Sequence, residues 1–206
     1  MKIIIGLGNP GREYERTRHN AGWRVIDFLI SENRIIKKGR ESLYQSWIVN
    51  LGSQDVWLVK PLTFMNESGK AVEMVLENSK ESPENLIFVH DDLDLPLGNL
   101  KITASRGPGT HKGFLSIVSQ LGRNDLVRVR MGIGQQKLPV SRTDFVLSDF
   151  TPEEEKVITP LVEKAAFACK DIIILGLEKA MTRWNSLSRI SQEKDKEEKC
   201  STRTRL

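Results

Sequence analysis

Apolar residues recur along this chain in two alternating rhythms, and that alternation limits the fold more than any other feature. Short unbroken runs, Lys2–Leu7 and Leu86–His90, are bounded by Gly, Pro, Asn or Asp and read as buried strands. Between such runs the period lengthens. Ala21, Val25, Ile26, Leu29 and Ile30 recur at helical spacing from Asn20 to about Glu32. Ala71, Val72, Val75 and Leu76 mark a second helix from about Glu67 to Asn78, and Phe114, Leu115, Ile117, Val118 and Leu121 a third from Lys112 to Leu121. Strands interleaved with helices make an α/β domain.

The rest of the chain fits this pattern. Tyr44–Leu51 and Val56–Lys60 flank Gly52-Ser53-Gln54-Asp55, a hairpin signal. Leu100–Thr103 reads as a strand, and Leu126–Gly134, alternating basic with apolar residues, as a half-buried one. Thr151-Pro152-Glu153-Glu154-Glu155 is an N-capped helix start whose pattern continues to about Trp184, and Pro160 predicts a break early in it. Residues 187–206 carry charge and almost nothing apolar, which predicts a disordered tail after a single domain over 1–186.

With 206 residues, 39% of them hydrophobic, the chain can bury one substantial core. Cys169 and Cys200 lie too far apart for a metal-ligand spacing and form no disulfide framework, which suggests a reducing, cytoplasmic setting. The first strand starts at once, leaving no room for a signal peptide, and no apolar run approaches the roughly 20 residues of a membrane span. The net charge of +4 and pI of about 9.1 permit a polyanionic partner without proving one. Nothing demands an oligomer, so a monomer is expected.

Gly6-x-Gly8-x-x-Gly11 after a strand matches the dinucleotide fingerprint, but the mechanics oppose that reading. The fingerprint's glycines open a helix whose amides hold a pyrophosphate. Here Pro10 removes an N–H from the turn, and helical periodicity begins only near Asn20.

Polar residues that are costly to place near a core gather in separate stretches. Asn9-Pro10-Gly11 leads to Tyr14 and to Thr17-Arg18-His19-Asn20; Thr63-Phe64-Met65-Asn66 follows a strand; His90-Asp91-Asp92-Leu93-Asp94 ends another; and Gly109-Thr110-His111-Lys112-Gly113 opens a helix. Asn9 and Asp91 lie just past apolar strands, where open α/β sheets bind ligands. If the loop bearing His19 folds back to that edge, a His, a carboxylate and two side-chain amides surround one cleft. That is the inventory of general-base hydrolysis, with Asp91 holding His19 in its active tautomer and Asn66 donating to an oxyanion. No Gly-x-Ser-x-Gly nucleophile motif is present, so water is the expected attacking group.

On these residues the chain resembles the bacterial-type peptidyl-tRNA hydrolase family over about residues 1–186. The matching stretches are GLGNPGREYERTRHNAGW, KPLTFMNESGKAV, VHDDLDLPLG and VRMGIG. The resemblance implies a single-domain mixed β-sheet surrounded by α-helices, with no metal and no cofactor. It also implies hydrolysis of the ester between peptide and tRNA in peptidyl-tRNA, releasing free tRNA from dropped-off or stalled translation products. His19 matches the base, Asp91 its partner, and Asn9 the residue that tells a blocked peptidyl group from a free aminoacyl one. Tyr14, Phe64, Met65 and Asn66 match positions around the tRNA 3′ end. Lys112 stands where the family usually has Asn, a side chain that helps bind the acceptor end; an ammonium cannot accept a hydrogen bond as that amide can.

A tRNA is held chiefly through its phosphates. Lys101 and Arg130 match phosphate-contacting positions of the family, and Arg106 and Arg123 extend the basic stretch that also contains Lys112 and Arg128. The implied partners are peptidyl-tRNA and, for stalled products, the large ribosomal subunit, with no membrane. The competing reading is a non-catalytic RNA-binding relative on the same fold, as among organelle splicing factors.

Overall fold

The computed structural model describes residues 1–104, 107, 109–134 and 140–186. Arg106 and the tail over 187–206 lie outside the described residues. Seven strands form one sheet: β1 (Lys2–Gly6), β2 (Ile35–Arg40), β3 (Tyr44–Leu51), β4 (Gln54–Pro61), β5 (Leu86–Pro96), β6 (Leu100–Thr103) and β7 (Val127–Gly134), in the spatial order β2-β3-β4-β1-β5-β7-β6. β4, β1, β5 and β7 run parallel to one another, and β2–β3, β3–β4 and β6–β7 are antiparallel, so the sheet is mixed. Helices α1 (Ala21–Ser31), α2 (Ser68–Ser79), α3 (Lys112–Leu121), α4 (Arg142–Val146) and α5 (Pro152–Leu175) accompany it.

The central strands are buried on both faces, which is why they read as unbroken apolar runs rather than alternating ones. On one face Ile4, Ile87 and Val129 meet Val25, Ile26, Leu161 and Ala165, from α1 and α5. On the other, Ile3, Ile5 and Phe88 meet Val72 and Val75 of α2 and Phe114 and Ile117 of α3. The β3–β4 hairpin turns at Gly52 and Ser53, both at positive φ (60° and 76°), the pairing that matches the twist of a tight hairpin. Gly22 brings α1 onto the sheet: a Cβ there would lie 2.3 Å from the Val89 carbonyl oxygen.

Several expectations change. β5 does not stop at His90 but continues through the carboxylates, with Asp91 opposite Met131 and Asp92 opposite Gly132. The run over 126–134 is a central strand buried along most of its length, not a half-buried one, and Arg128 is enclosed with it. Pro160 does not break α5. Ile158, Leu161 and Val162 around it are buried, and their packing holds the helix through the missing hydrogen bond. The interruption falls at Gly176, at φ 85°, before further helix over 177–186. β2 and α4 escaped periodicity altogether: β2 is an edge strand of sequence IIKKGR, and α4 has only five residues. No described helix is long and apolar enough to cross a membrane.

Candidate active site

The carboxyl ends of the parallel strands converge on a cleft of about 420 Å³. The loop after β1 brings Asn9, the segment between β4 and α2 brings Phe64, Met65 and Asn66, and β5 itself brings Asp91. His19 arrives from a short 3-10 turn over Arg18–Asn20 that runs directly into α1. His111, Lys112 and α4 close the remaining sides.

His19 and Asp91 are 6% and 1% exposed. The Nδ1–H of His19 donates to the Asp91 carboxylate, at 2.9 Å to Oδ1 and 3.0 Å to Oδ2. A proton on Nδ1 leaves the Nε2 lone pair as the basic position of the ring. Burial alone would raise the Asp91 carboxyl, but the neighbouring His19 and His111 hold it well below the usual carboxylate range. Asp91 therefore remains an anion, the state that favours His19 once it has taken up a proton.

His111 completes this arrangement, and the site residues picked from the sequence omitted it. Its Nδ1 accepts from the Phe114 backbone N–H at 3.2 Å, which leaves the ring proton on Nε2 to be donated to Asp91 Oδ1 at 3.0 Å. His19, Asp91 and His111 offer donor atoms within 4.8 Å of one another, close enough for a metal ion. The hydrogen bonds assign those atoms otherwise, because both imidazole nitrogens facing Asp91 are protonated donors. All three histidines of the chain gather here: the His111 ring centroid lies 4.9 Å from that of His19 and 4.4 Å from that of His90. Gly113 permits the approach, since a Cβ would meet the Met65 sulfur at 2.4 Å.

Asn9 is oriented with little freedom. Its Oδ1 accepts from the Met65 backbone N–H at 2.7 Å, so its Nδ2 is the group left to donate toward the cleft. Asn20 holds the Asn9 backbone on both sides, accepting from its N–H at 2.8 Å and donating to its carbonyl at 3.0 Å. Tyr14 and Phe64 meet edge to face at 6.2 Å, and Phe64 keeps 53% of its surface exposed at the mouth. Asn66 and Lys112 are exposed on the rim, whereas Met65 is buried beneath it.

Arg18 bolts the turn that carries His19 to the wall formed by α4. Its guanidinium donates to the carbonyls of Ser148 and Asp149 at 3.1 and 2.8 Å, to Ser148 Oγ at 2.7 Å and to Glu154, and it lies 4.2 Å from the Phe145 ring. Glu154 also closes the capping box of α5 with Thr151.

The basic residues divide. Lys101 stands opposite Arg130 in the β6–β7 register, so those two are brought together. Arg130 pairs with Asp92. Arg128 is 3% exposed and packs over Phe114 at 4.3 Å, which removes it from any surface footprint. Arg123 is bridged to Glu84 and Asp125 at 2.5 Å each.

A mixed α/β sheet whose parallel strand ends hold a buried His–Asp pair beside side-chain amides defines a general-base hydrolase constellation. The family model described as peptidyl-tRNA hydrolase matches residues 3–196, and the chain belongs to that family. It is 43% identical over 185 residues to a peptidyl-tRNA hydrolase of Aquifex aeolicus, covering 90% of this chain and 96% of the relative. Against that of Thermodesulfovibrio yellowstonii it is 40% identical over 190 residues, covering 91% of this chain and all of the relative. The crystal structure of peptidyl-tRNA hydrolase from Acinetobacter baumannii superposes with a TM-score of 0.82 at 30% identity, over 90% of this chain and 94% of that one.

Proposed function

We propose that this chain hydrolyses the ester linking a peptide to the 3′ end of tRNA, with His19 as the base that activates water. The observation that carries the reading is the buried hydrogen bond from His19 Nδ1 to Asp91 at the floor of the cleft. Nε2 of His19 takes a proton from water as the oxygen attacks the ester carbonyl, and Asp91 stabilises the imidazolium that results. The bond between the carbonyl carbon and the ribose oxygen then breaks, and the proton held on Nε2 passes to that leaving oxygen.

Asn66, at the rim, is the side-chain donor for the developing oxyanion. Asn9 Nδ2 donates to the carbonyl of the first peptide bond, an acceptor that a free aminoacyl group lacks. Tyr14 and Phe64 supply aromatic faces for the terminal bases, above Met65. Lys101 and Arg130 meet the phosphates of the acceptor arm, and Arg106 belongs to the same proposed footprint. The setting is the cytoplasm, and the chain acts as a monomer on free or ribosome-stalled peptidyl-tRNA. The intact His19–Asp91 pair favours catalysis over an RNA-binding role alone.

Release of labelled peptide from N-blocked aminoacyl-tRNA tests the proposal. Wild type turns over, His19→Ala does not, and Lys112→Asn retains or gains rate. Salt-sensitive tRNA binding without turnover in the wild type would instead support the RNA-binding relative.

A further inference from the structure

Among the residues lining the catalytic cleft, Asn9, Tyr14, Phe64 and Asn66 are uncharged, whereas Lys112, at the first turn of α3, and Arg142, at the first turn of α4, are cations. Lys112 makes no ion pair among the described residues. Arg142 is tethered loosely, to Thr110 Oγ1 at 3.3 Å and to Asp94 at 3.6 Å, with the side chains of Arg142 and Asp94 58% and 51% exposed. An exposed ion pair of that length contributes little, so the guanidinium can turn to a better anion. Thr110 lies two residues before Lys112, so the tether keeps both cations beside the same loop.

The carboxylates nearby are already engaged. Asp91 serves the two histidines, Asp92 pairs with Arg130, and Asp94 meets Arg142 only at 3.6 Å. An aromatic pair, Tyr14 half-buried and Phe64 exposed, lining one cleft with two cations supplies what proteins use to hold a single-stranded nucleotide, a ring for the base and a positive charge for the backbone.

We propose that Lys112 and Arg142 form a phosphate subsite for the phosphodiester immediately 5′ of the terminal, ester-bearing nucleoside. The inference rests on the hydrolase reading and deepens it. Recognition at the cleft then extends beyond one nucleoside: a dinucleotide end binds better than a nucleoside through charge at this rim. It also gives Lys112 a function that an amide at the same position cannot perform, because the amide carries no charge.

The test measures binding first, so that it does not depend on turnover. Calorimetric titration with cytidylyl-(3′→5′)-adenosine and with adenosine gives an affinity ratio for the wild type and for the Lys112→Met, Arg142→Met and double variants. The ratio falls about threefold in each single variant and about tenfold or more in the double, and the wild-type preference for the dinucleotide weakens at raised salt. The same ranking appears in KM for the N-acetylaminoacyl esters of the two compounds. An unchanged ratio in the double variant, or an equal loss of both ligands, overturns the subsite. If the wild type hydrolyses neither ester nor N-blocked aminoacyl-tRNA, the hydrolase reading fails, while the binding ratio still decides the phosphate contact. Both residues are on the surface, and thermal melting of each variant separates lost binding from lost folding.

Discussion

His111 Nε2 donates to the same Oδ1 of Asp91 that accepts from His19 Nδ1, at 3.0 Å and 2.9 Å respectively. One carboxylate therefore serves two imidazoles, and its pull on His19 is shared. Replacing His111 by Phe removes the competing donor. The carboxylate then lacks one of the two donors that fix it, so kcat on N-blocked aminoacyl-tRNA falls while KM holds. An unchanged kcat would mean that His111 packs beside Asp91 without positioning it.

Asn9→Asp separates the two ends of one amide. The carboxylate still accepts from the Met65 N–H, but the donor left for the substrate is gone. A lost hydrogen bond of this kind costs about 1–3 kcal/mol, so kcat/KM on N-blocked aminoacyl-tRNA falls by roughly ten- to a hundredfold. Unblocked aminoacyl-tRNA, tested in parallel, shows a smaller change. Equal losses on both substrates would remove Asn9 from peptide recognition.

Arg18 and Glu154 are a buried pair, their side chains 5% and 8% exposed. Glu154→Ala leaves a buried guanidinium without its carboxylate, removes the side-chain half of the α5 capping box, and destabilises the fold by about 3–5 kcal/mol. Urea unfolding measures the change. A loss under about 1 kcal/mol would show that the carbonyls of Ser148 and Asp149 suffice to hold Arg18.

Stability below neutral pH follows from His90. Burial, and then the adjoining His111, hold its pKa well below the ordinary value of 6.5, so folding keeps it neutral. A depressed folded-state pKa means that this contribution is complete above about pH 6.5 and is lost as pH falls below it, because only the unfolded chain takes up the proton. The slope attributable to one such group is about 1.4 kcal/mol per pH unit. His90→Phe, compared with wild type in unfolding curves from pH 7.5 to 5.5, flattens that dependence whatever its effect on stability at pH 7.5. Parallel curves would assign the slope elsewhere.

Much of this molecule is legible without coordinates. Buried strands and amphipathic helices have periods of their own, so β1, α1, α2 and α3 stand out in the sequence. Turn chemistry placed the β3–β4 hairpin, and the motifs around Asn9, His19, Asn66 and Asp91 marked the cleft. What the sequence by itself determined was thus the local element types and the chemical inventory of the site.

Tertiary structure decided which of these groups meet, and with what partners. His19 and Asp91 are separated by 72 positions and His111 by 20 more, and only the parallel order of β1 and β5 with the packing of α3 brings them together. Arg128 and Arg130 look alike in a basic run, yet one is enclosed over Phe114 and the other pairs with Asp92 near the surface. Pro160 reads as a break and lies in continuous helix, because the burial of its neighbours outweighs one lost hydrogen bond. α4 has too few residues to show a period, and its place on the cleft wall comes from contacts with Arg18, far away in the chain. Periodicity is a property of neighbours in sequence, whereas pairing, burial and charge compensation are properties of neighbours in space.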